Sequence, residues 1–226
     1  LKKFLSYCVY FIFVGSSKVS IIKEAYELLS DNPEVAGWEA WWPAEGPFER
    51  VVGAILTQQT RWENVDKAMS ALKENGLLSP EALSSVPLSG LEMIIRPVGF
   101  YRQKAVYIKG VAEYFSQHPI EDLHSMPPSR LREDLLGLPG IGNETADVIM
   151  LYVAGHPRFI VDAYARRILE CVGITGSYDE IQALFKMALG DDVEKYRRYH
   201  AYIVELGKRH CNKKRCDCCA VKKYLE

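Results

Sequence analysis

Apolar residues recur three and four positions apart along nearly the whole chain. Phe48, Val51, Val52, Ile55 and Leu56 share one helical face, and Val65, Ala68, Met69 and Leu72 continue the pattern in the next segment. That spacing fits an α-helix, and no stretch shows the period-two alternation of a strand. Gly and Pro break the pattern at Pro97-Val98-Gly99, Met126-Pro127-Pro128, Gly155-His156-Pro157 and Gly173-Ile174-Thr175-Gly176. The sequence therefore predicts an all-α fold of roughly ten helices. Helices are expected near Tyr101–Phe115, Asn143–Ala154, Asp162–Cys171, Tyr178–Leu189 and Val193–Arg209. Another starts at Ser79-Pro80-Glu81, with Ser as cap and Pro at the first helical position.

The 226 residues are 48% hydrophobic and 25% charged, an ordinary globular balance for one large domain or two small ones. The net charge of −1 gives no argument for a polyanionic partner. Charge is uneven, however. From Lys195 to Glu226 ten Lys/Arg stand against Glu205, Asp217 and Glu226, a local +7 that suits either an anion such as nucleic acid or a solvated helix face. Residues 1–18 are set apart as an extension. Lys2 and Lys3, the apolar run FLSYCVYFIFV and then GSS have the outline of a secretory leader. The run is about half the roughly 20 residues that span a bilayer, so no membrane helix is expected. Because the rest reads as intracellular, the extension is taken as dispensable, with secretion as the alternative. Four of the six cysteines, Cys211, Cys216, Cys218 and Cys219, lie within nine residues. Disulfide scaffolds spread their cysteines through the chain, so this cluster reads as a metal or iron–sulfur knot.

The stretch LPGIGNETADVIM, Leu138 to Met150, runs from a glycine turn straight into a helix. Gly140 and Gly142 bracket Ile141, which would point inward and anchor the turn. Glycine permits positive backbone angles and leaves no side chain between backbone N–H groups and an approaching oxygen. The following helix adds unpaired N–H groups and its positive dipole end. The turn is thus an anion cradle, with Leu138, Gly140, Gly142 and Thr145 as candidate phosphate contacts. The preceding helix should end near Leu136-Gly137. This is the shape of a helix-hairpin-helix, which grips a DNA backbone without reading sequence; a plain glycine-rich connection is the simpler alternative. About twenty residues on, FIVDAYARRIL places Asp162 at a helix start. Asp162 reads as an N-cap, or as a carboxylate that stabilises a developing sugar cation or orients a water.

LPGIGxxTA followed by VDAYARR resembles the helix-hairpin-helix (HhH-GPD) DNA glycosylases of the endonuclease III superfamily, from Ile21 to the C-terminus. The resemblance implies two α-helical lobes with a DNA cleft between them. One, residues 46–156, would be a six-helix bundle containing the hairpin. The other would join residues 19–45 and 157–226, with a Cys-rich C-terminal loop. It implies that Asp162 is catalytic, that the partner is double-stranded DNA holding a damaged base, and that the protein works as a monomer off the membrane. Bifunctional members carry a lysine two residues after the second hairpin glycine, where this chain has Glu144. A carboxylate cannot form a Schiff base, so AP lyase activity is not expected. The family's C-x6-C-x2-C-x5-C spacing fits Cys216-x2-Cys219 and a shortened Cys211, but its fourth position falls on Leu225. Cys218 can substitute, or Cys211-x6-Cys218 can set another register. The implied cofactor is a [4Fe–4S] cluster, with zinc or no metal as alternatives.

Trp41-Trp42-Pro43 and LTQQTRWENV, with Trp62, resemble the monofunctional 3-methyladenine glycosylase branch, and also uracil and oxidised-base relatives. There Trp41, Trp42, Pro43 and Trp62 would form the base pocket, and Gln58 would fill the gap left in the duplex. Each Trp alone would read as core. Indole faces suit a cationic alkylated purine, at about 0.5–2 kcal/mol per cation–π contact. Base flipping is required because the glycosidic bond is buried in the stack. GFYRQKA, Gly99 to Ala105, matches a family segment at a helix start; its residues are candidates to contact the DNA backbone, with Arg102 and Lys104 on a solvated face as the equal alternative. Three functions stay open: a monofunctional glycosylase for alkylated purines; a uracil, oxidised-base or endonuclease III-like glycosylase/lyase; and a non-catalytic DNA-binding module.

Overall fold

The computed structural model describes residues 17–30, 37, 42, 44–209 and 211. Every regular element among them is helical, as the periodicity predicts. In chain order they are α1 (Lys18–Ser30), α2 (Pro47–Leu56), α3 (Trp62–Glu74), α4 (Pro80–Ser85), α5 (Leu88–Ile94), α6 (Tyr101–Gln117), α7 (Pro128–Leu136), α8 (Asn143–Val148), α9 (Ala163–Cys171), α10 (Tyr178–Leu189) and α11 (Val193–Arg209). Short 3₁₀ turns lie at Arg96–Val98 and Ile120–Ser125. The punctuation works locally as the side chains require. The Ser79 hydroxyl accepts the Ala82 N–H at 3.2 Å to start α4. Ser177 and Glu180 form a reciprocal capping box at the start of α10. Gly190 stops α10 at φ 69°, a backbone angle open to glycine.

The chain divides into two compact units, Leu1–Pro43 with Pro157–Glu226, and Ala44–His156. In Ala44–His156 the expected six-helix bundle holds seven α-helical segments, because Pro87 separates α4 from α5. Helix α2 is apolar nearly all round, with Phe48, Val51, Val52, Ala54, Ile55 and Leu56 buried, so it forms the centre of that unit's core. Residues of α3 to α8, of the π-turn and of the connecting turns complete the cluster. The single helix expected over Asn143–Ala154 is a correction. After Val148 the coil widens into a π-turn over Ile149–Val153, closed by Ala154 N–H to Ile149 O at 2.9 Å. Such a turn takes in one extra residue, which hydrophobic spacing does not reveal, since Ile149, Met150 and Leu151 are all buried in succession.

In the other unit, Ile21, Ile22 and Leu29 of α1 face Ile168, Leu169, Tyr199, Ile203 and Leu206 across an apolar groove. The irregular segment before α9 is buried at Phe159, Ile160 and Val161. The Phe159 ring stacks on Phe185 at 3.4 Å between centroids. Gln182 fixes the backbone there: its carbonyl accepts the Phe159 N–H at 3.2 Å, and its amide donates to Phe159 O. None of the described helices is long and apolar enough to cross a membrane.

Lys104, expected on a solvated face or against DNA, is instead buried at 2% exposure. Its Nζ donates to Leu56 O at 2.9 Å and Val98 O at 3.3 Å. Its long stem lets α6 deliver a cation to the carbonyl end of α2, where the helix dipole favours one. Desolvation pulls the ammonium down to about 8 from its ordinary 10.5. Below the lower value both folded and unfolded chains carry the proton. Between the two values the unfolded chain binds more, so stability from this site rises with pH across that window. Wild type should therefore gain stability relative to Lys104→Met between about pH 7.5 and pH 10 in urea unfolding. A stability gap independent of pH would contradict the account.

Candidate functional site

Helices α7 and α8 form the expected hairpin, and α7 ends at Leu136 as the sequence indicates. Gly140 adopts φ 77°, and a Cβ there would lie 2.1 Å from the Tyr107 ring of α6. This position is closed to any side chain twice over, by backbone angle and by space. Gly142 differs. It caps α8 with φ −93° and ψ −177°, an extended conformation any residue adopts, and a Cβ there would meet nothing within 4 Å. Ile141 points inward at 5% exposure and belongs to the core cluster. Its N–H donates to Leu138 O at 3.2 Å, which closes the turn.

Two braces hold the hairpin. Arg132 of α7 donates from Nε to Asp147 Oδ1 of α8 at 3.1 Å, and from Nη2 to Asn143 Oδ1 at 2.7 Å. Asp147 is fully buried, and the guanidinium compensates its charge there. The second brace comes from the end of α2. Gln58 Nε2 donates to Gly140 O at 3.0 Å and to Thr145 Oγ1 at 3.1 Å. Gln58, expected to enter the duplex, thus has its amide engaged inside the protein. Thr145, expected at a phosphate, is 7% exposed, with its hydroxyl turned to Gln58. Glu144 lies exposed in the first turn of α8.

Sequence reasoning missed two positions beside these. Gln59 and Phe100 are the non-glycine residues with positive φ among the described residues, at 51° and 44°. Both are exposed, Phe100 at 63%. Left-handed backbone under a bulky, exposed aromatic is strained, and such strain concentrates at functional turns. Lys104 supports both turns, since Leu56 O lies three residues before Gln59 and Val98 O two before Phe100. Gln59 reads from the sequence as structural and Phe100 lies within GFYRQKA, but no periodicity or motif signals a left-handed residue, so the conformation of neither was visible beforehand.

Asp162 is the N-cap of α9. Its Oδ1 accepts the Ala165 N–H at 2.7 Å, and its side chain is 20% exposed. Oδ2 lies 3.8 Å from Nε2 of His200 on α11, another residue the sequence reading passed over. Next to the cap, Tyr164 lies against Gly207 of α11, where a Cβ would come within 2.1 Å of the ring. Trp62 opens α3 and is half-buried; Trp42 is half-buried in the other unit. Trp41 and Pro43 lie outside the described residues, as do Cys216, Cys218 and Cys219. Cys211 is half-buried shortly after α11.

Residues 52–189 match the family model of the HhH-GPD superfamily of base excision DNA repair proteins. A provisionally named DNA repair glycosylase of Methanocaldococcus jannaschii is 39% identical over 216 residues, covering 92% of this chain and 97% of that protein. A crystal structure of an H. pylori 3-methyladenine DNA glycosylase bound to 1,N6-ethenoadenine is 28% identical. It matches over 86% of this chain and 98% of its own, with a TM-score of 0.70. A trapped endonuclease III–DNA covalent intermediate is 25% identical over 87% of this chain and 88% of its own, with a TM-score of 0.68.

The two hairpin glycines should separate in a thermal melt. Gly140→Ala must displace the Tyr107 ring and strain its own backbone, at a cost of about 2 kcal/mol or more. Gly142→Ala should stay within roughly 0.5 kcal/mol of wild type. Equal melting losses at the two positions would refute this division.

Proposed function

The chain belongs to the HhH-GPD superfamily of base excision DNA repair proteins and is a DNA glycosylase, and we propose that it is a monofunctional one that releases alkylated purines such as 3-methyladenine. The observation that carries the chemistry is Asp162: a capping carboxylate with one oxygen held by the α9 backbone and partial access to solvent. Rigid placement of a negative charge is what a developing sugar cation needs, because fixed charge costs no reorganisation during the reaction.

On this reading the hairpin seats the duplex. Gly142, whose missing side chain the fold does not require, leaves backbone N–H groups open to a phosphate. Leu138 and Gly140 shape the same turn, and Thr145 contributes through its backbone rather than its hydroxyl. Gln59 and Phe100, exposed on strained turns, are freer than Gln58 to enter the stack, and Phe100 offers the apolar wedge that unstacks a base step. As the resemblance implies, Trp41, Trp42, Pro43 and Trp62 are proposed to receive the extruded base, and a cationic purine gains from indole faces. The bond from C1′ to the base then breaks with its electron pair going to the base, which neutralises the purine's positive charge. Water adds to C1′, and Asp162 stabilises the cation and accepts the water's proton. An alkylated purine is already a good leaving group, so no separate strong acid is needed.

Glu144 argues against a lyase step, since a carboxylate has no amine with which to form a Schiff base at the sugar. Similarity to the trapped endonuclease III complex supports the alternative, a glycosylase/lyase. The cysteines Cys211, Cys216, Cys218 and Cys219 supply the four thiolates that a [4Fe–4S] cluster takes, and such a cluster would brace the C-terminal region rather than react.

Asp162→Asn keeps a capping side chain, so the fold and DNA binding should survive, while base release falls by about 10²–10³-fold. Single-turnover assays on duplexes holding 3-methyladenine, 7-methylguanine, uracil or 8-oxoguanine check this, and a preference for uracil would overturn the cationic-purine reading. Borohydride added during turnover should trap no protein–DNA adduct in wild type. A covalent adduct would restore the lyase alternative.

A further inference from the structure

Asp162 is held on one side and approached on the other. Its Oδ1 accepts the Ala165 N–H at 2.7 Å, and its Oδ2 faces Nε2 of His200 at 3.8 Å. The His200 side chain is 3% exposed, so the imidazole side of this approach is shielded from water, while Asp162 keeps 20% exposure. A carboxylate oxygen in front of Nε2 favours the tautomer with the proton there, because a bare nitrogen would set two acceptors against each other. The edge of the ring is fixed by Phe159, T-shaped at 6.4 Å between centroids.

Helix α11 is built to make this contact. His200 and Gly207 are seven residues apart, two turns along one face. Gly207 receives the Tyr164 ring on bare backbone, and His200 receives the carboxylate two residues before Tyr164. The start of α9 is thereby seated at two points on one helix. A capping aspartate needs only its single backbone hydrogen bond, and Ala165 already supplies it. The imidazole on the second oxygen is surplus to capping.

We propose that His200 is a positioning residue for the glycosylase reaction: its Nε2–H fixes the second oxygen of Asp162, so that the carboxylate presents a set face to the sugar. This rests on the reading of Asp162 as catalytic. This role requires the carboxylate to turn by a small angle when damaged DNA binds, shortening the 3.8 Å separation to a hydrogen bond, as long catalytic hydrogen bonds in free enzymes tighten in the complex. With Oδ1 on Ala165 and Oδ2 on His200, the remaining lone pairs are directed rather than free to swing.

Substitution tests this on whichever of the four lesion duplexes wild type processes. His200→Leu should lower the single-turnover rate by roughly 30-fold or more, while affinity for a duplex with a tetrahydrofuran abasic analogue stays within about twofold. His200→Gln, which returns an N–H donor at similar reach, should recover to within about fivefold of wild type. Added to Asp162→Asn, His200→Leu should change the residual rate by less than about twofold, because the two act as one unit. Should His200→Leu fail to fold, His200→Met is compared with His200→Gln in the same way. A His200→Leu or His200→Met enzyme at full rate beside an inactive Asp162→Asn overturns the role of His200 alone. So does a loss that multiplies on top of Asp162→Asn, or a parallel loss of DNA affinity. An Asp162→Asn enzyme at wild-type rate overturns the reading of Asp162 itself, and His200 with it.

Discussion

A buried ammonium organises the unit that carries the hairpin. Lys104 reaches from α6 to the last carbonyl of α2 and to the turn at Val98. One turn further along α6, Tyr107 fills the space under Gly140. The same helix therefore supports the end of α2 and the floor of the hairpin, and Gln58 closes the loop by joining the two. Desolvating a lysine is costly, which is why its proton is held less tightly than usual. The arrangement persists because the alternative leaves two inward carbonyls without a donor, and an unmet buried polar group is costly as well. If the hairpin seats DNA as proposed, it gains from being tied to a core helix rather than to a loop.

Much of this was legible in the chain before any coordinates. The α10 and α11 boundaries, the end of α7 and the cap at Ser79 follow from spacing, Gly, Pro and Ser, which act within a few residues of themselves. The inward Ile141 and the capping position of Asp162 were legible for the same reason. What stayed hidden depends on distance along the chain. Gln58 meets its partners 82 and 87 residues away, and Lys104 meets Leu56 across 48. Arg132 and Asp147 are 15 apart on two different helices. A cation in a helix reads as solvated until one knows which carbonyls stand behind it. The π-turn was hidden differently: apolar residues in succession satisfy a regular helix and a widened one equally well.

Asp162 and Glu144 show how residue type and placement divide the chemistry. Both are carboxylates in or at the first turn of a helix, where the backbone dipole favours negative charge. Asp162 uses that position to cap, which removes its freedom and leaves one oxygen directed toward a buried imidazole. Glu144 is exposed, and a carboxylate has no amine with which to form a Schiff base. On the proposed reading, similar local electrostatics suit one residue to stabilising a cation and leave the other without covalent chemistry.

The contact between Tyr164 and Gly207 also bears on how this fold can change over generations. An aromatic ring pressed on bare helix backbone leaves no room for a methyl group, so Gly207 cannot vary first. A smaller residue must already stand at Tyr164, and that change alone opens a void beside the capping carboxylate. Neither step is neutral by itself. The two positions are bound to a shared inheritance, and a lineage that alters one will carry the trace of a compensating change at the other.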